Sequence, residues 1–162
     1  MASLLPLVTV AGERYSIDER AAAWLSGFDE LAVAACAGRY RTGKSYLLNR
    51  LGNFPAGRGF GVGDTVQACT RGIWLSTETL RGRDGQPIVL LDTEGIDALD
   101  AESDHDVRIF ALAILLSSAF VYNSSSHLDE AALQTLSLMT RVSEALGDAA
   151  DGRLYWVLRD FS

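Results

Sequence analysis

Leu31-Ala-Val-Ala-Ala-Cys-Ala-Gly38-Arg-Tyr-Arg-Thr-Gly43-Lys44-Ser45-Tyr-Leu-Leu-Asn-Arg-Leu51 decides how the rest of the sequence is read. Leu31 to Ala37 is apolar without interruption, as in a parallel strand covered on both faces. Lys44 to Leu51 predicts a helix, and between the two Gly38 to Ser45 satisfies G-x-x-x-x-G-K-[ST] in the strand-then-helix setting that the pattern requires. Glycines there let the backbone curl until several N–H groups converge on one anion, and the helix N-terminus adds partial positive charge. Lys44 is placed to neutralise β- and γ-phosphate oxygens, and Ser45 to offer a hydroxyl to Mg²⁺. A bare glycine-rich turn is the other reading, and the strand-helix context argues against it.

Outward from this stretch, β and α patterns alternate. Leu4 to Val10 predicts a strand, Gly12 a turn, Arg14 to Ile17 a hairpin partner, and Asp18 the cap of a short helix to about Ser26. Residues 52 to 71 carry five glycines and little periodicity, which predicts one long functional loop. Gly72 to Thr79 and Ile88 to Leu91, joined by a turn cluster from Arg81 to Pro87, predict an antiparallel hairpin. A helix from about Asp104 to Leu116 and a buried strand from Ser118 to Tyr122 follow. Ser126 and Asp129 form a candidate capping pair for a helix running to Leu146, stopped by Gly147, and Arg153 to Leu158 predicts the last strand. The sum is an α/β domain of the P-loop NTPase class, a mainly parallel sheet with helices on both faces and its ligand site at the strands' carboxyl ends.

Two further clusters fall at such strand ends. Asp92-Thr-Glu94-Gly95 follows the apolar strand: a carboxylate there suits Mg²⁺ held through water, and the Gly95 N–H suits a γ-phosphate, which would make the loop beyond it a nucleotide-sensitive switch. An Asp at a strand end is also a common turn former. Thr70, just before a strand, can add a second hydroxyl to Mg²⁺, and Thr65 competes for that assignment.

Composition narrows the function classes. The 162 residues carry 14 Lys+Arg against 21 Asp+Glu, a formal charge of −7, with 48% apolar residues. That balance fits one globular domain and argues against a nucleic-acid partner, which needs clustered basic residues. Cys36 and Cys69 suit free thiols in a reducing cytosol. The N-terminus shows no signal-peptide pattern, and the longest apolar stretch, Ile109 to Tyr122, is 14 residues, too short to span a bilayer. His105 and His127 share no metal-ligand spacing with Cys or acidic residues and read as loop or helix-end positions. Trp24, Trp74 and Trp156 read as packing residues rather than a base-stacking platform.

Gly38-Arg-Tyr-Arg-Thr-Gly-Lys-Ser-Tyr-Leu-Leu-Asn-Arg50, Thr65-Val-Gln-Ala-Cys-Thr-Arg-Gly-Ile-Trp74, Leu90-Leu-Asp-Thr-Glu-Gly95, Ala113-Ile-Leu-Leu-Ser-Ser-Ala-Phe-Val-Tyr-Asn123 and Leu158-Arg-Asp-Phe161 together resemble the guanylate-binding proteins, large GTPases of the dynamin superfamily. The wording Ile96-Asp-Ala and Asp129-Glu-Ala-Ala-Leu leans towards plant and protist members. The resemblance covers the chain from about residue 6 to its end. It implies GTP and GDP binding by Gly38, Arg39, Tyr40, Arg41, Thr42, Gly43, Lys44, Ser45 and Tyr46, and Mg²⁺ held by Ser45, Thr70 and Asp92. Thr70 would be the first switch threonine and Asp92 to Gly95 the second switch. Arg41 would be an arginine finger acting in cis, its plainer alternative being a solvated loop arginine. Glu94 would help arrange the attacking water. Arg159 and Asp160 would select guanine, the Asp160 carboxylate accepting from the paired ring N–H and exocyclic amine.

Two departures accompany the resemblance. Ala68 stands where many animal members place a serine that helps pass on a proton from the attacking water. Ser162 comes almost directly after the guanine-reading pair, so the base-covering segment and the helical region of the family are expected to be absent, as in a fragment or a short paralogue. The resemblance further implies a nucleotide-dependent homodimer for the complete protein and a cytoplasmic location, peripheral on membranes in some circumstances. The rival expectation is a non-hydrolysing interaction module that uses GTP only to order its switches.

Overall fold

The structure, a computed structural model, describes residues 4–55, 57–62, 72–95, 104–125, 130–147 and 152–159. The elements, in chain order, are β1 (Leu4–Ala11), β2 (Arg14–Ile17), α1 (Glu19–Leu25), β3 (Ala32–Ala37), α2 (Lys44–Leu51), β4 (Ile73–Ser76), β5 (Leu80–Arg81), β6 (Pro87–Thr93), α3 (Asp104–Leu116), β7 (Ala119–Ser125), α4 (Glu130–Leu146) and β8 (Arg153–Arg159). The sheet runs β2-β1-β4-β6-β3-β7-β8, with β5 beside β6. Its centre is parallel, since β3 pairs with β6 and with β7, and β7 pairs with β8, all in the same direction. The β4–β6, β1–β4, β1–β2 and β5–β6 pairs are antiparallel. Five strands (β1, β3, β6, β7, β8) therefore share one direction, and the sheet is mainly parallel as the sequence predicts.

Alternation along the central strands explains why helices cover both faces. Ala35 and Ala37 of β3 and Val89 and Leu91 of β6 belong to one buried cluster, with Ala21 of α1, Ile109, Phe110 and Ala113 of α3 and Met139 of α4. Cys36 and Leu90, one residue out of phase, point into a second cluster with Leu48 of α2 and Phe60. The small side chains of β3 let its covering helices approach closely. Phe110 and Phe120 meet edge to face at 5.1 Å in the first cluster, and truncating either would cost about 3–5 kcal/mol.

The three tryptophans pack as expected: Trp24 meets Phe28 edge to face, Trp156 meets Tyr122 likewise, and Trp74 borders the second cluster. Asp18 caps α1 through its carboxylate, which accepts from the Arg20 backbone N–H and from the Arg20 guanidinium.

Several boundaries differ from the sequence expectation. Strand β4 is shorter, Ile73–Ser76 rather than Gly72 to Thr79, because Ser76 turns its hydroxyl to the backbone carbonyl of Glu78 and starts a bend. Strands β6 and β7 are longer, so that Asp92, Thr93, Asn123 and Ser124 are strand residues rather than loop residues. Polar side chains there escape an apolar-run criterion, yet backbone pairing with β3, β4 and β8 continues through them. Helix α4 begins at Glu130, and the Ser126/Asp129 capping pair lies outside the described residues. Among the described residues no helix is long and apolar enough to cross a membrane.

Candidate phosphate-binding site

The parallel strands β6, β3 and β7 end side by side, and the loop leaving β3 crosses their carboxyl ends before entering α2. Gly43 caps α2 with φ 76°, a left-handed conformation that costs a glycine nothing. A Cβ at that position would also collide with the Arg159 guanidinium. Arg41 holds φ 62° without being a glycine, and its side chain is exposed, its guanidinium 5.8 Å from the Tyr40 ring centroid.

Inside the loop the Arg39 carbonyl gathers three donors. It accepts from the Thr42 backbone N–H at 3.3 Å, the Thr42 hydroxyl at 2.9 Å and Lys44 Nζ at 3.1 Å. Lys44 is 7% exposed, and burial pushes its ammonium below the usual lysine range, with the Asp92 carboxylate opposing that shift. A phosphate oxygen would relieve a cation that now rests on one carbonyl.

Ser45, in the first turn of α2, donates its hydroxyl to Asp92 Oδ2 at 2.6 Å. Asp92 is fully buried near the end of β6, so helix and strand deliver two hard oxygen ligands to one point. Among the described residues no three His, Cys, Asp or Glu side chains converge as a metal cage. A hydroxyl and a carboxylate nevertheless fit Mg²⁺, which takes few protein ligands and completes its octahedron with water and phosphate oxygens.

Gly95 lies against the loop itself, since a Cβ there would come within 2.6 Å of Tyr40 Cα. One residue earlier, the Glu94 backbone N–H donates to the Gly72 carbonyl at 3.0 Å, and the Gly72 N–H donates to Glu94 Oε2 at 3.0 Å. The end of β6 is thereby bound to the entrance of β4. Thr65, Ala68 and Thr70, in the segment before Gly72, and Asp160, after β8, lie outside the described residues, as do Cys69 and His127.

Asn123 and His105 escaped sequence reading, and Arg159 makes a contact with the loop that the sequence did not suggest. Asn123 is fully buried and donates from Nδ2 to the Thr42 carbonyl at 2.7 Å, tying β7 to the loop. A polar residue closing the run Phe120-Val-Tyr was the available signal. Arg159, expected at the base, directs its Nη2 to the same carbonyl. His105 opens α3, as a helix-end position should, but its Nε2 meets Glu94 Oε1. No spacing pattern joins His105 to Glu94, because the residues between them form no regular repeat.

The sequence profile of the guanylate-binding protein N-terminal domain matches residues 12–162. The chain belongs to the guanylate-binding protein family. Guanylate-binding protein 5 of Homo sapiens is 37% identical, with 99% of this chain and 30% of that protein aligned. Guanylate-binding protein 2 of Rattus norvegicus is 39% identical over 90% of this chain and 28% of its own length. Guanylate-binding protein 4 of Homo sapiens is 38% identical over 96% and 27% respectively. The chain thus spans under a third of the length of these guanylate-binding proteins, and its own residues 12–162, matched by the family profile, include the phosphate-binding loop and the Asp92–Gly95 strand end.

Proposed function

We propose that this chain is the nucleotide-gripping part of a large GTPase, binding guanine nucleotide with Mg²⁺ and hydrolysing GTP to GDP. The observation that carries the reading is the meeting of Ser45 and Asp92 at 2.6 Å beside a buried Lys44. Backbone N–H groups at the start of α2 and the Lys44 ammonium would hold the β- and γ-phosphates. Ser45 and Asp92, with Thr70, would hold Mg²⁺, which when bound neutralises charge on the phosphate oxygens. The Gly95 N–H would meet the γ-phosphate, a role supported by the packing of Gly95 on Tyr40 of the loop, and Glu94 would orient the attacking water. Arg41 would meet the charge that develops on the transferring phosphoryl group; its place inside the phosphate-binding loop, two residues before Gly43, supports that role. Asp160 would accept from guanine, while Arg159, turned to Thr42, would steady the loop as well as the base.

For the whole protein, nucleotide-dependent pairing of two copies and cytoplasmic or peripheral membrane placement are part of the same proposal.

Turnover of GTP and of ATP tests the reading, together with xanthine-nucleotide preference in Asp160→Asn. GTP-selective hydrolysis that moves towards the xanthine nucleotide in the variant supports it. Tight GTP binding with no turnover at any protein concentration would leave a nucleotide-dependent interaction module instead.

A further inference from the structure

Glu94 sits at the end of a hydrogen-bonded chain that begins on the far hairpin. Tyr15, in β2, meets His105 Nδ1 through its hydroxyl at 2.6 Å, and His105 Nε2 meets Glu94 Oε1. The second carboxylate oxygen of Glu94 accepts from the Gly72 N–H at 3.0 Å. The Tyr15 and His105 rings also stack, with centroids 5.7 Å apart and planes 28° from parallel, and the Arg108 guanidinium lies 5.9 Å from the Tyr15 ring centroid. Both nitrogens and one face of the imidazole are therefore occupied.

Both contacts are met together when the Tyr15 O–H donates to Nδ1 and the Nε2–H donates to a Glu94 carboxylate oxygen. The orienting partner of a histidine fixes its tautomer, and the fixed tautomer in turn directs the carboxylate. Glu94 is 14% exposed at its side chain and His105 36%, so the chain runs from the surface inward. It ends one residue before Gly95, which packs on Tyr40 of the phosphate-binding loop.

We propose that His105 and Tyr15 are positioning residues for hydrolysis, holding the Glu94 carboxylate in the single orientation from which it meets the attacking water. The inference rests on the role proposed above for Glu94. A glutamate free to rotate would spend most of its time in unproductive rotamers, whereas one whose two oxygens are claimed by His105 and Gly72 is oriented before nucleotide arrives. Its action is on turnover rather than on ground-state affinity, because none of these three side chains belongs to the phosphate grip.

Steady-state GTP turnover by the full chain, binding of a non-hydrolysable GTP analogue, and binding of GDP with aluminium fluoride test it. Glu94→Gln is expected to lower kcat at least about tenfold, His105→Ala about tenfold and Tyr15→Phe a few fold, with analogue affinity held within about twofold. His105→Gln, whose side-chain amide still donates, recovers much of the His105→Ala loss. Adding His105→Ala to Glu94→Gln brings less than about a twofold further loss, since the two act through one group. Affinity for GDP with aluminium fluoride falls in the same order as kcat. If Glu94→Gln leaves both turnover and aluminium fluoride binding intact, the role of Glu94 fails and takes the inference with it. If Glu94→Gln is impaired but His105→Ala is not, or its loss multiplies in the double variant, the positioning inference alone is overturned. Equal losses of kcat and analogue affinity in His105→Ala, without rescue by glutamine, mark a structural contact and overturn it as well.

Discussion

Arg41 keeps a backbone conformation that a side chain with a Cβ adopts at a cost of about 1 kcal/mol, φ 62°. Nothing in hydrophobic packing compensates it, since the residue is exposed. Stability and function should therefore separate here. Arg41→Gly is expected to raise unfolding free energy by about 1 kcal/mol in denaturant titration while lowering GTP turnover at least about tenfold. Equal turnover in the two proteins would remove Arg41 from the chemistry. Lys44 separates the same two quantities in another way. Its ammonium is buried against a single carbonyl, so Lys44→Ala removes a poorly solvated charge and should leave the ligand-free Tm unchanged or higher. Nucleotide affinity should fall at least about 100-fold, and with it the rise in Tm that nucleotide gives the parent protein. Cys36, 0% exposed, has its thiol pushed up to about 12 by burial first and by the Asp92 carboxylate second. At pH 8 it is held as the neutral thiol, so alkylation followed by peptide mass spectrometry should find Cys36 unmodified in the native chain and modified in urea.

Among the elements, the phosphate-binding loop is held from outside its own sequence, by Asn123 of β7 and Arg159 of β8 converging on the Thr42 carbonyl. Asn123→Ala should cost about 1–3 kcal/mol of stability, because it strips a buried carbonyl of a donor, and should weaken nucleotide binding through the loop without touching a phosphate. Asn123→Asp, which keeps the shape and turns a donor into an acceptor, should be worse than alanine. Titration of unfolding against denaturant, beside nucleotide affinity, checks both. The helix α2 and the strand β3 were legible in the sequence because periodicity, glycine placement and the Lys44-Ser45 pair all agree over a short span. Ser45 and Asp92 were each singled out by chemistry, one in the first turn of the helix after β3 and the other near the end of β6, and the parallel pairing of β3 with β6 brings them together. Asn123, Tyr15 and His105 were not legible as site residues. Their partners lie 81, 90 and 11 residues away along the chain, and only the strand order brings them together. Strand ends were misjudged for a related reason: Asp92, Thr93 and Asn123 stay in the ladder through backbone pairing, which polarity does not reveal.

At the scale of the molecule, protection should follow the sheet order rather than the sequence order. The amides of β3 and β6, with neighbours on both sides and apolar cover on both faces, are expected to exchange slowest in hydrogen-exchange mass spectrometry. Those of β2 at one edge, with exposed Ile17, and of β8 at the other, with Leu154 and Tyr155 half exposed, should exchange earliest among the strands. Faster exchange in β3 than in β2 would contradict the strand order. The position of β3 has a further consequence during synthesis. Its two neighbours are encoded later, β6 beginning at Pro87 and β7 at Ala119. At a ribosomal rate of about 5–20 residues per second, the Ala32–Ala37 strand leaves the exit tunnel several seconds before the second of them. For that interval the most apolar strand of the phosphate site has no sheet to join, and the nascent chain offers it to whatever apolar surface is nearby, so chaperone occupancy should peak there and end when residue 125 emerges.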